Sequence, residues 1–295
     1  MTRAGASAPA TVRPALGFLL PYAVGTLLLV VVPALLTFRY ALTDYTGVGE
    51  PRYTGLDNVR RLGQDPFLRA ALTASALHVV IAVPLRLLAA TTLGLMLAAP
   101  RPGGRWYRAA VYLPTVVPDI ALALLFLWVL NPLFGPLNGL LGALGLPQPA
   151  WLATTWGARL GVVLMLLLPI GEAFLVVLAT RRQVNARLYE AAALDGAAPW
   201  QQLRHITLPL LAPVLVLLAV RDTVLTLQVN FVPAYVLTDG GPANATLYLP
   251  IYIYDQAFEF AAFGYGALLT AVLLLLTLLA VGLQLALVRR WRIVR

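Results

Sequence analysis

Six apolar stretches, each about twenty residues or longer, restrict this chain more than any other feature. They run roughly Leu16–Phe38, Leu72–Ala98, Ala109–Leu130, Leu160–Ala179, Leu208–Val232 and Ala267–Val288. A helix needs about 20 residues to cross about 30 Å of hydrocarbon. Lipid offers backbone groups no partner, so each crossing segment must be helical. The expected fold is therefore an all-α integral membrane protein with six transmembrane helices. Composition closes off the alternatives: of 295 residues, 60% are hydrophobic and 11% charged, whereas a soluble domain carries about 25% charged residues. The polar groups are too few to cover a soluble surface, and the apolar content is too high for disorder.

Charge placement gives an orientation. The formal net charge is +9, and every basic side chain except the two histidines is arginine. With the N-terminus inside, the inner segments sum to +11 and the outer segments to −2. Arginine-rich flanks stay in the cytoplasm, which places both termini there and agrees with an even number of spans. The expected organisation is a cytoplasmic tail over residues 1–14, a membrane domain over 15–288 and a basic cytoplasmic tail over 289–295. The first apolar run is too long for a secretory h-region and reads as an uncleaved anchor. Trp106, Tyr107, Tyr112, Trp151, Trp156 and Trp291 fall at span edges, where amphipathic rings favour the headgroup level. The arginines are scattered rather than gathered into an aromatic-interleaved patch, so nucleic acid is not an expected partner; the lipid bilayer is. With no cysteine, disulfides, thiolate metal sites and a cysteine nucleophile are excluded.

Ionisable groups deep in a span cost on the order of 2.5–3.5 kcal/mol each by insertion scales and normally face a cavity or a partner charge. Arg86, Glu172, Arg221 and Asp222 are such groups, and Asp119 lies in the outer half of the third span. Asp222, Thr226 and Asn230 recur at i, i+4 and i+8, on one helical face. These residues are candidates for lining a solute path, since carboxylates, amides and guanidinium groups hold polar solutes. The competing reading pairs Arg221 with Glu172, or Asp222 with Arg86, as locks between helices.

Among the connections, Asn131–Ala150 is uncharged and rich in Gly and Pro, and reads as an outer connection along the membrane surface. Asn244-Ala245-Thr246 matches a glycosylation tripeptide, a pattern common by chance. The inner connection Thr180–Pro213 is different. Residues Arg187–Leu194 are good helix formers. Asp195-Gly196 breaks that helix, because glycine adopts left-handed backbone at low steric cost. Pro199 suits the first position of a second short helix, which carries Trp200, and Thr207–Pro209 is expected to redirect the chain. The product is a helical elbow on the cytoplasmic side. It has a smooth alanine face suited to packing against another protein, or alternatively to lying on lipid headgroups.

This elbow resembles the EAA loop of the membrane-spanning subunits of ABC importers. Glu190-Ala191-Ala192, Asp195-Gly196-Ala197 and Ile206-Thr207-Leu208-Pro209 stand at the family's spacing. Gly55-Leu56-Asp57-Asn58, Asn131-Pro132, Gly135-Pro136-Leu137-Asn138 and Gly240-Gly241-Pro242 look like the carbohydrate-type permeases of maltose and glycerol-phosphate uptake, so the resemblance covers the chain from about Leu16 onward. Glu172 and Arg221-Asp222 depart from it, at positions where such proteins carry apolar or neutral residues. The resemblance implies a cell-membrane permease for a sugar or related polyol. It further implies a second homologous permease subunit, two ABC ATPase subunits that use ATP and Mg, and an extracytoplasmic solute-binding protein. The ATPase contact falls on Tyr189, Glu190, Ala191, Ala192, Asp195, Gly196, Ala197, Trp200 and Pro209. No cofactor is expected on this chain. A standard Walker A needs lysine, which the chain lacks, so hydrolysis must reside in a partner. The alternatives are a secondary transporter driven by an ion gradient, with Glu172 or Asp222 as proton relay, and a non-transporting membrane protein or enzyme, for which no catalytic constellation exists.

Overall fold

The computed structural model describes residues 12–229 and 231–290. Most of the two tails and Asn230 lie outside the described residues. The chain divides into two compact units. One comprises the residues up to Gly63 together with Gln256–Ala271, the other Gln64–Asp255 together with the residues from Val272. Among the described residues the structure is almost wholly helical. No strand forms, only an isolated antiparallel bridge between Thr43 and Tyr53.

In the first unit, α1 (Leu19–Tyr40) is apolar and exposed along its length, as a lipid-facing helix is. The loop after it is held by a short helix, α2 (Asp57–Gln64). Asn58, from the Gly55–Asn58 stretch, donates its amide to the carbonyls of Ala41 (3.0 Å) and Thr43 (2.8 Å). Arg61 donates to Gln256 Oε1 at 2.9 Å and lies over the Tyr265 ring, 4.0 Å from its centroid.

The second unit is organised around α3 (Pro66–Met96). Asp65 caps it, accepting from the N–H groups of Phe67 and Leu68 at 2.9 and 3.2 Å, and Pro66 fills a first-turn position whose N–H would be unpaired in any case. The buried face of α3 is made of small residues, including Ala71, Ala74, Ser75, Ala82, Ala90, Thr91 and Gly94. Small side chains let helix backbones approach closely in a membrane. Here α3 packs on α8 (Gly171–Gln183), with Ala90 against Ile170, Phe174 and Leu178. At Gly94 a Cβ would come within 2.7 Å of Val177 Cγ1.

Among the described residues, four helices are long and apolar enough to cross a membrane: α1, α3, α10 (Pro199–Gln228) and the last helix over Phe263–Arg289. The third and fourth expected spans are not straight helices. Between them and their neighbours lie α4 (Gly104–Tyr112), α5 (Asp119–Val129), α6 (Pro136–Ala143) and α7 (Thr155–Leu166). The third breaks between Val116 and Asp119 with a 99° bend, and the fourth breaks between Leu166 and Gly171 with a 51° bend. Proline causes both breaks. It lacks an N–H, and it pushes the preceding residue out of the helical region. Val117, before Pro118, is extended at φ −73°, ψ 128°, and Pro169 sits in the second gap. The breaks are tied together: Gly171 N donates to Thr115 Oγ1 at 2.9 Å. Counting each broken pair as one span gives up to six.

The Asn131–Ala150 connection is more ordered than its composition suggests. It contains α6, and buried Asn138 donates to the carbonyls of Pro132 and Pro149 and accepts from the Trp151 indole at 2.8 Å. Trp151 is therefore fixed by a protein partner, whereas Trp106, Tyr107 and Trp156 are exposed, as interfacial rings are. Trp291 lies outside the described residues.

Candidate functional site

Two features stand out in the second unit: a charged cavity among α3, α5, α8 and α10, and the elbow below it. The cavity has a volume of about 260 Å³, and its lining includes Arg86, Thr115, Asp119, Glu172, Arg221 and Asp222. Each charged side chain arrives from a different helix, apart from the adjacent Arg221 and Asp222 on α10. Arg86 Nη1 meets Asp222 Oδ1 at 2.9 Å with both side chains about 15% exposed (15% and 14%). Arg221 pairs with Glu172, a half-exposed pair at 44% and 54%. Both pairings weighed against a solute-path reading are thus formed, and their members line the cavity as well. The helix α10 is bridged to α3 through its carboxylate and to α8 through its guanidinium.

The pairs are not saturated. Asp222 Oδ2 and Arg86 Nε are buried and make no hydrogen bond, and the same holds for Thr226 Oγ1 one turn beyond. Thr226 is not among the cavity-lining residues, so the expected stripe of Asp222, Thr226 and Asn230 reaches the cavity at Asp222; Asn230 lies outside the described residues. Sequence reasoning missed Thr115 and Pro169 in the lining. The prolines flanking the broken helices were the available signal, since a break exposes polar backbone that needs a partner.

The elbow forms from α9 (Ala186–Leu194) and the start of α10. Asn185 caps α9 by accepting from Arg187 N at 3.0 Å. At the other end Gly196 takes φ +80°. Ala197 N donates to Ala192 O at 2.9 Å, and Gly196 N to Ala193 O at 3.0 Å. This is the paired Schellman closure that a left-handed residue after a helix permits. Ala198 N then donates to Gln201 Oε1 at 2.7 Å, and Gln202 Nε2 to Ala197 O at 3.1 Å. The Tyr189 and Thr207 hydroxyls meet at 2.9 Å, and Arg181 lies over the Tyr189 ring, 4.1 Å from its centroid. These backbone and side-chain hydrogen bonds close the turn. Glu190, Ala191, Leu194 and Trp200 are left exposed on it.

One expectation for this region fails. Thr207–Pro209 does not redirect the chain, and the second helix is not short. It runs unbroken from Pro199 to Gln228. A π turn at Leu203–Thr207 lies directly before Pro209. Its widened hydrogen-bond register accommodates the missing proline N–H without a kink large enough to end the helix.

Against the N-terminal half of α3, Tyr248 OH and His78 Nδ1 lie 3.0 Å apart, and Leu249 N donates to Ser75 Oγ at 2.9 Å. Burial raises the Tyr248 hydroxyl above its ordinary pKa, so it keeps its proton for this contact. Among the described residues no three His, Asp or Glu side chains gather as metal ligands.

The second unit thus combines apolar helices, internal charge pairs and a closed helical elbow near Arg181, Arg182 and Arg187. Residues 90–293 match the family of binding-protein-dependent transport system inner membrane components. The chain belongs to that family, and as a member it is a permease subunit of the cell membrane rather than an enzyme, with ATP hydrolysis in a separate subunit. It is 33% identical over 271 residues to the probable ABC transporter permease protein YurN of Bacillus subtilis, covering 88% of this chain and 91% of that one. It is 32% identical over 252 residues to the lactose transport system permease protein LacF of Rhizobium radiobacter, covering 82% and 84%. In fold it is similar to a chain in the crystal structure of a bacterial ABC transporter that imports the acidic polysaccharide alginate, with a TM-score of 0.79 at 24% identity, covering 94% of this chain and 96% of that one. Family membership sets aside the ion-gradient and non-transporting readings.

Proposed function

We propose that this chain forms half of the path by which a sugar or related polyol enters the cell, and that the elbow couples that path to a motor. In this reading residues 15–288 act as one membrane domain with six spans. Both termini are cytoplasmic, and residues 181–206 form the coupling loop. A second homologous permease subunit completes the path, two ATPase subunits binding ATP and Mg sit beneath, and a solute-binding protein delivers the sugar from outside. Tyr189 to Ala197, Trp200 and Pro209 form or brace the surface that meets the ATPase. Arg86, Glu172, Arg221, Asp222, Thr226 and Asn230 belong to the path.

The observation that carries this reading is the elbow: exposed Glu190, Ala191 and Ala193, closed at Gly196, just before the helix that holds Arg221 and Asp222. The sugar preference rests on the relatives, among them the lactose permease and a trehalose/maltose permease of Thermococcus litoralis. Reconstitution of the complex with its binding protein, scored as ATPase activity across a panel of sugars, tests it. One sugar or a small set is expected to stimulate hydrolysis several-fold. Stimulation by amino acids or peptides, with none by any sugar, overturns the solute assignment.

A further inference from the structure

A second hollow, of about 580 Å³, lies where the cytoplasmic end of α3 meets the last turn of α8 and the first turns of α9. Its walls are of two kinds. Leu95, Ala98, Ala99, Pro100, Val184 and Ala186 are apolar, and the charge comes from Arg181 and Arg182, opposed by the single carboxylate of Glu190. The two arginines differ from those of the upper cavity. Arg86 and Arg221 each hold a carboxylate, whereas neither Arg181 nor Arg182 makes an ion pair among the described residues. Arg181 rests on the Tyr189 ring, and Arg182 Nε reaches only the Ala98 carbonyl, at 3.4 Å. Both are thereby positioned at the hollow with terminal N–H groups to spare. The level is that of a bilayer surface. The apolar span of α3 ends at Met96, and exposed Trp106 and Tyr107 follow within a few residues of Pro100 on α4, with Arg105 over the Trp106 ring.

We propose that this hollow is a binding site for the headgroup of an anionic phospholipid of the inner leaflet. Guanidinium groups recognise phosphate oxygens bidentately, and basic pockets between transmembrane helices on the cytoplasmic side suit anionic headgroups. The apolar wall accepts the first acyl carbons, which free phosphate or a nucleotide does not possess. Because Tyr189 and Glu190 of the elbow border the hollow, a bound lipid braces the elbow from its membrane side.

The test is native mass spectrometry of the whole complex after stepwise delipidation, from nanodiscs of phosphatidylcholine with or without phosphatidylglycerol. Wild-type complex is expected to retain phosphatidylglycerol preferentially, and the double variant Arg181→Gln/Arg182→Gln to retain at least fivefold less. A variant that fills the hollow and keeps both charges, Ala99→Trp, is expected to lose the lipid too, so a failure of either variant to assemble leaves the other to decide. Inorganic phosphate at 10 mM, an arbitrary excess, is expected not to displace the lipid. Equal retention by wild type and an assembled variant, equal retention of phosphatidylcholine, or displacement by inorganic phosphate overturns the proposal. Lipid retention is read without transport, so the result stands apart from the sugar assignment.

Discussion

At the scale of single residues, the two ion pairs of the upper cavity are not equivalent. Arg86–Asp222 is largely shielded from solvent, so removing one partner strands a charge in a low-dielectric site, which costs about 3–5 kcal/mol. Asp222→Asn or Arg86→Met is expected to lower the thermal unfolding midpoint of the purified complex by several degrees. The double variant Arg86→Met/Asp222→Leu should recover most of that loss. Glu172→Gln removes one side of a half-exposed pair, worth about 0–1 kcal/mol, and is expected to leave the midpoint within a degree or two. Equal losses at the two pairs contradict this difference in burial. Gly196 makes a different prediction. Its φ of +80° costs a β-branched residue about 1–2 kcal/mol, so Gly196→Val should distort the elbow while leaving membrane insertion intact. Sugar-stimulated ATPase activity of the variant complex is expected to fall at least tenfold, with basal hydrolysis retained.

Helices and their contacts show how much could be read in advance. The six apolar runs were plain in the sequence, and so was the elbow, because Asn185, Gly196 and Pro199 each carry a local preference that needs no tertiary context. The broken spans were not. Pro84 and Pro213 lie inside continuous helices, while the segments holding Pro118 and Pro169 stop and turn. A proline breaks or is tolerated according to what its neighbours offer the freed backbone groups, and at Gly171 that partner is Thr115, 56 residues away in sequence. The ion pairing was legible as a set of alternatives; choosing among them required the register of α3, α8 and α10. The α3–α8 contact was hidden because small residues carry no hydrophobic signal. Gly94→Leu places a side chain where Val177 already sits, and overpacking of this kind costs about 1–3 kcal/mol. A lowered unfolding midpoint is expected, partly restored by the companion change Val177→Ala.

For the molecule as a whole, sidedness is the property on which the proposed coupling depends. The absence of native cysteine makes single introduced thiols clean reporters. Leu194 on the elbow is 90% exposed and Leu133 on the opposite connection 81% exposed. Leu194→Cys should react with a membrane-impermeant maleimide only in inside-out vesicles, and Leu133→Cys only in right-side-out vesicles or intact cells. Labelling of both from one side contradicts the proposed topology.

The unbroken course of α10 has a mechanical consequence. Twenty-one residues separate Trp200 from Arg221, about 32 Å of helix at 1.5 Å per residue, and the helix continues through the π turn at Leu203–Thr207 and past Pro213. Under the proposed topology, tilting this helix by about ten degrees from its Trp200 end would move the far end by about 5 Å, comparable to the reach of a salt bridge. In the proposed coupling, a push delivered at Trp200 would reach Arg221 and Asp222 as a choice of which charges remain in touch.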